Sequence, residues 1–188
     1  MLMVCFQSNP YIRITKAKGV IHGDIKPKNV LIYSETDGRY RAKVIDFGYS
    51  SLFMRDGDTI TMPYSELWTA PEQHHREILP MQARRMDAYS FGMLCLWFFF
   101  YNRSEDQDRN FKRDLEDPQK EPLSWAYELL DAETELGDRR RNDIQNVFRL
   151  TLAQDPAERT AEFTEILQLL SSNRSGKVLG LSRNTNRR

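Results

Sequence analysis

Cysteine is scarce: Cys5 and Cys95 are the two in 188 residues, far apart and in no CxxC pair or metal-ligand spacing. That excludes a disulfide-stapled secreted module and a cysteine-bound zinc site, and it predicts reduced thiols in an intracellular protein, cytoplasmic or nuclear. Long apolar runs are missing too. The longest, Met93 to Tyr101, has nine residues, against the roughly 20 needed to cross a bilayer, so no membrane span is predicted. The opening MLMVCF is too short and too lightly charged for a secretory signal. There is also no net charge, with 27 Lys and Arg against 27 Asp and Glu, which removes the overall basic excess typical of nucleic-acid binders. No repeat period or low-complexity linker divides the chain, so its body reads as one folding unit.

What is present suits a globular core, with 40% hydrophobic residues and 11% aromatics. Charge is uneven: residues 102–145 hold thirteen acids against eight bases. Residues 173–188 carry five Lys and Arg and no acid among Ser, Gly and Asn, and are expected to be a basic disordered tail. Without aromatics, that tail predicts no specific nucleic-acid partner. In the first third, Val30–Tyr33 and Ala42–Ile45 are strand-like runs around Asp37-Gly38, a turn signal, and should pair as a hairpin. Met86–Tyr101 is apolar on all sides and predicts a buried central helix. Leu123–Leu130, Asp143–Leu152 and Ala161–Leu170 show helical spacing, with Thr160 placed to cap the last. Strands followed by a run of helices predict an α+β fold, mainly helical.

The densest chemical signal is His22-Gly23-Asp24-Ile25-Lys26-Pro27-Lys28-Asn29, followed after the hairpin by Asp46-Phe47-Gly48. Folding the hairpin brings two carboxylates, an amide and an ammonium together. Such a set suits phosphoryl transfer, where catalysis is mainly positioning and neutralisation of phosphate charge. Asp24 can accept a hydrogen bond from an attacking hydroxyl, and Lys26 can neutralise the transferring group. Asn29 and Asp46 offer hard oxygens to magnesium.

These residues resemble the C-terminal lobe of the eukaryotic protein kinase family. His22–Asn29 is similar to its catalytic loop, Asp46-Phe47-Gly48 to its magnesium motif, and Ala70-Pro71-Glu72 to the end of its activation segment. Asp87-Ala88-Tyr89-Ser90-Phe91-Gly92 resembles the start of its buried central helix, and Asp155–Arg159 its late arginine motif. Five motifs in the family's order form a strong signal. Lys26-Pro27 is the serine/threonine pattern. The resemblance implies ATP and Mg2+ as cofactors and a protein substrate. It makes Asp24 and Lys26 catalytic, gives nucleotide binding to Lys26, Asn29 and Asp46, and assigns the metal to Asn29 and Asp46. It also implies scaffold roles: Ser65 bonding Asp24 and Lys26, Glu72 pairing with Arg159, Asp87 holding catalytic-loop amides, and His22 packing beneath the loop.

Two departures stand against the family pattern. Gly23 replaces the arginine that in many kinases binds a phosphorylated activation loop, so switching through Thr59 or Thr61 is not expected to use that contact. Only 21 residues precede His22, and no GxGxxG or VAIK-like lysine occurs in the chain. The family's N-terminal lobe is therefore expected to be absent, and the 188 residues alone to transfer little phosphate. Asn9-Pro10 disturbs the helix that leads into the family's catalytic loop, so residues 1–10 are expected to be irregular and 11–172 to be the kinase-like domain. The surface facing the missing lobe is a possible partner site. His74-His75 is read as a solvated surface pair, and Trp97–Phe100 as core. Two other functions compete: a non-catalytic kinase-like interaction module, and a small-molecule phosphotransferase of the aminoglycoside or choline kinase type. The latter lack the Ala-Pro-Glu segment and the Lys-Pro pair found here.

Overall fold

The computed structural model describes residues 3–4, 20–34, 36, 40–51, 57–73, 77–101, 107–117 and 120–171. Asn9-Pro10, the Asp37-Gly38 turn, His74-His75 and the tail at 173–188 lie outside them. The hairpin forms from β2 (Val30–Ser34) and β3 (Tyr40–Val44), antiparallel, with Val30 opposite Val44 and Ser34 opposite Tyr40. A third strand was not legible in the sequence: β1 (Met3–Val4) pairs parallel with β3, giving the order β1-β3-β2. Ala42 and Val44 are buried, whereas Leu31 and Ile32 are about half exposed at 51% and 49%.

Helices follow. The central helix α1 (Pro80–Phe100) begins six residues before the start predicted at Met86. Pro80 supplies the first-turn φ at no hydrogen-bond cost, and Gln82 Oε1 accepts the Leu79 N–H at 3.1 Å, so the polar first turn is capped. Helix α2 (Gln107–Leu115) escaped the sequence reading because its stretch is charged, with Phe111 and Leu115 its apolar contribution. Helix α3 (Pro122–Ala132), helix α4 (Asp138–Leu152) and helix α5 (Phe163–Ser171) match the periodic segments with shifted ends. Thr160 does not cap α5 directly. Its hydroxyl accepts the Glu162 N–H at 3.0 Å in the turn before the helix. Arg141, on α4, donates to the carbonyls of Leu130 and Glu133, the latter at 2.6 Å, and so caps the C-terminal end of α3.

The core lies around α1. Gly92 lets α4 approach closely: a Cβ there would stand 2.4 Å from Thr151 Oγ1 and 2.7 Å from Leu152 Cδ2. Phe99 and Phe100 both meet the buried Phe148 ring. Trp97 and Phe98 to Phe100 remain only partly buried. Beside them Phe111 stacks between Trp68 and Trp125, with centroids at 5.5 and 5.7 Å. Removing side chains such as Phe111 and Phe148 from water contributes about 1.5–3 kcal/mol each.

Candidate active site

The loop from Ile21 to Asn29 is built before its chemistry is. Asp87, in the first half of α1 and buried, accepts the His22 N–H at 2.5 Å and the Gly23 N–H at 2.9 Å. Burial outweighs these two bonds and pushes its carboxyl up to about 7. Gly23 has φ +84°, and a Cβ there would sit 3.0 Å from the Tyr49 carbonyl oxygen, so both conformation and space favour glycine. The 3-10 turn Pro27–Asn29 then returns the chain into β2.

Asp24 collects the polar side chains. Lys26 Nζ lies 2.7 Å from Asp24 Oδ2 and donates to Ser65 Oγ at 3.2 Å. The Ser65 hydroxyl donates to Asp24 Oδ1 at 2.8 Å. Asn29 Nδ2 donates to the Asp24 carbonyl at 2.8 Å and to Oδ2 at 3.0 Å. Burial by itself would raise the Asp24 carboxyl, but the bonds from Lys26, Ser65 and Asn29 together outweigh it and hold the group below the usual carboxylate range.

His22 joins this cluster to the second motif. Its Nδ1 accepts the Asp24 N–H at 3.2 Å, which assigns the ring proton to Nε2, and that atom donates to the Ile45 carbonyl at 3.2 Å. Burial lowers the His22 pKa, partly opposed by the bond to Ile45 and by the charges of Asp24 and Asp46, so the ring is neutral. Ile45 also donates its N–H to the Asn29 carbonyl at 2.9 Å. Asp46, the next residue, is thereby tied to both ends of the loop. It is exposed, with φ 65°, and its Oδ1 accepts the Gly48 N–H at 3.3 Å. Phe47 sets its ring edge-on to His22 at 5.1 Å. The chain beyond is fastened to the loop by reciprocal Ile21–Ser51 backbone bonds and by Ser50 Oγ donating to the His22 carbonyl at 3.0 Å.

The segment carrying Ser65 is anchored at several points. Thr69 Oγ1 accepts the Ser65 N–H at 2.8 Å and donates to the Ser65 carbonyl at 2.9 Å. Gln73 Nε2 donates to the Pro63 carbonyl at 2.9 Å, and Ile60 pairs with Ile78. Further on, Arg159 Nη1 meets Glu72 Oε1 at 2.6 Å while Arg159 Nε donates to the Ala153 carbonyl at 2.6 Å and the guanidinium lies over Tyr89. Thr69, Gln73 and Ser50 were not singled out in the sequence. Only their hydroxyl or amide chemistry near the motifs marked them.

The residues fit a magnesium ion held with substrate phosphates better than a resident metal cage. Among the described residues no group of three His, Cys, Asp or Glu is placed to hold a metal. Asn29 turns its amide N–H groups to Asp24, and Asp46 is exposed with one carboxylate oxygen accepting the Gly48 N–H. One or two protein oxygens completed by phosphate and water is magnesium's usual arrangement.

Comparison with known proteins agrees with this geometry. Residues 11–170 match the protein kinase domain family. A probable serine/threonine-protein kinase of Dictyostelium discoideum is 40% identical over 81 residues, covering 43% of this chain and 15% of that protein. The serine/threonine-protein kinase/endoribonuclease IRE1 of Oryza sativa subsp. japonica is 36% identical over 104 residues, covering 52% of this chain and 11% of that protein. A G-type lectin S-receptor-like serine/threonine-protein kinase of Arabidopsis thaliana is 28% identical over 165 residues, 80% of this chain and 18% of that protein. The chain thus spans less than a fifth of the length of each of these relatives. With the match covering most of its length, the chain belongs to the protein kinase domain family.

Proposed function

We propose that the chain carries the lower half of a phosphoryl-transfer site that acts on serine or threonine hydroxyls of proteins. The observation that supports this best is the single network in which Asp24 meets Lys26, Ser65 and Asn29. Asp24, ionised at neutral pH, accepts a hydrogen bond from the substrate hydroxyl and orients it for attack. The substrate oxygen forms the new bond to phosphorus as the bond to the departing diphosphate breaks. The hydroxyl proton passes toward Asp24. Lys26 stands beside that carboxylate, where its charge offsets that of the group in transfer. Bound magnesium–ATP supplies the phosphoryl group and the cation that screens its charge, with Asn29 and Asp46 the residues that would hold the metal. His22, Asp87, Glu72 and Arg159 act as scaffold. Cys95 is a free, buried thiol, and among the described residues no helix is long and apolar enough to cross a membrane.

A second reading, a non-catalytic partner-binding module, has one observation in its favour: Leu31, Ile32, Phe47 and Tyr49 stand about half exposed and are available for contact. The deciding experiment is an NMR titration of the chain with magnesium–ATP, beside a labelled-ATP transfer assay on a generic serine/threonine substrate. We expect millimolar-range shifts at Asn29 and Asp46 that vanish in Asp46→Asn, with transfer near background. Absence of any shift at those residues would sink the phosphoryl-transfer reading. Robust transfer that disappears in Asp24→Asn would instead show that the lower half suffices.

A further inference from the structure

Helix α2 lies outside every motif of the family pattern, yet two of its neighbouring residues reach the segment that carries Ser65. Lys112 Nζ donates to Glu66 Oε1 at 2.8 Å, with Glu116 as a second partner at 3.7 Å. Phe111, fully buried, stacks on Trp68 at 5.5 Å and 19°. Glu66 and Trp68 flank Leu67 directly after Ser65, and the Trp68 and Thr69 N–H groups both donate to the Ser65 carbonyl, at 2.8 and 3.0 Å. Trp68 is held from a third side, because Ser90 Oγ on α1 donates to its carbonyl at 2.6 Å. The path from α2 to Asp24 is therefore short and continuous: Phe111 to Trp68, the Trp68 N–H to Ser65, and the Ser65 hydroxyl to an Asp24 oxygen at 2.8 Å.

We propose that α2 is the anchor that sets the Ser65 hydroxyl on Asp24, with Trp68, Phe111 and Lys112 as positioning residues for the phosphoryl-transfer site. The role of the site rests on the kinase reading, but the coupling itself does not. The buried stack carries most of the anchoring, since an exposed ion pair is worth little alone. The Lys112–Glu66 pair fixes which turn of α2 faces the segment. A change at α2, through substitution or a bound protein, then reaches the substrate end of the site without touching it. Coupling of this kind needs a contiguous packed path, which these contacts supply.

The test reads the segment directly and needs no phosphoryl transfer, so failure of the kinase reading and failure of this proposal are distinguishable. In the full 188-residue chain, amide exchange is followed at Trp68 and Thr69, whose N–H groups close on the Ser65 carbonyl, and the Ser65 Cβ shift reports the hydrogen bond of its hydroxyl to Asp24. We expect roughly two- to fivefold faster exchange at both amides and a displaced Ser65 Cβ shift in the charge-neutral Phe111→Leu, with smaller changes of the same sign in Glu66→Gln and Lys112→Ala. Lys112→Arg should restore both readouts. Unchanged exchange and an unchanged Ser65 shift in Phe111→Leu, or exchange that rises equally throughout the chain, would overturn the proposal. Should Phe111→Leu fail to fold, Glu66→Gln and Lys112→Ala decide it by the same two readouts.

Discussion

Around Asp24 the chain is held by directed polar contacts, most of them to backbone: Asp87 on two amides, His22 between Asp24 and Ile45, Asn29 on a carbonyl, Ser50 on His22. Between α1 and α4 the contacts are apolar and close, with Gly92 against Thr151 and the Phe148 ring against Phe99 and Phe100. The first region specifies positions of individual atoms, and its integrity depends on protonation. The second supplies burial, which is non-directional and indifferent to pH. A transfer site needs the former mounted on the latter. Asp87 is the mounting point, because it belongs to the buried helix and holds the loop by its backbone.

The sharpest break in this contrast should come where a charge is buried within the packed base. Arg159 bonds Glu72 and the Ala153 carbonyl and covers the Tyr89 ring. Arg159→Ala leaves the Glu72 carboxylate without its partner, and we expect a loss of about 3–5 kcal/mol in chemical denaturation. A loss within about 0.5 kcal/mol, as for a surface substitution, would show that the pair does not tie the segment carrying Glu72 to the base.

Acid titration should separate the regions next. Asp87 has its folded-state pKa raised to about 7, so the folded chain binds a proton that the unfolded chain has released. Its contribution is therefore most favourable at low pH and declines as pH rises from about 4 toward 7. Asp24 works oppositely: its lowered pKa adds stability above the unfolded value, and that stability is lost as pH falls through the folded one. Between pH 5 and 7 the lowered His22 pKa works against Asp87, adding stability as pH rises. We expect the melting temperature of Asp87→Asn to change more positively with rising pH across that window than that of the unmodified chain. Equal slopes would place the pH dependence elsewhere.

A smaller, pH-independent cost is expected from Gly92→Ala. The added methyl meets Thr151 and Leu152 inside van der Waals distance, and overpacking of this kind costs about 1–3 kcal/mol. The same loss at pH 5 and pH 7 would mark the base as purely steric. A loss that varied with pH would connect α4 to the titrating loop.

Much of this was legible in the sequence because the motifs are local. Residues 22–29 and 46–48 fix their own backbone and come together through one hairpin, so a reader needs only the β-branched runs to join them. The buried run of α1 was equally plain. What escaped notice depended on partners distant in sequence. Helix α2 has little apolar signal, and its Phe111 acquires meaning only against Trp68 and Trp125. The start of α1 is polar and depends on Pro80 and Gln82 rather than on periodicity. The two-residue β1 carries no strand signature and exists only as a pairing with β3.

Arg141 has a consequence for the order in which the chain assembles. It reaches back 11 and 8 residues to the Leu130 and Glu133 carbonyls, so α3 and α4 close on each other across a short span. The Glu72–Arg159 pair closes 87 residues. Loop-closure entropy grows with span, and local contacts are gained first. The α3–α4 hairpin is thus expected to form early and the Glu72–Arg159 tie late, an order that pulse-labelled amide exchange during refolding would reveal as protection in α4 before Glu72 is fastened.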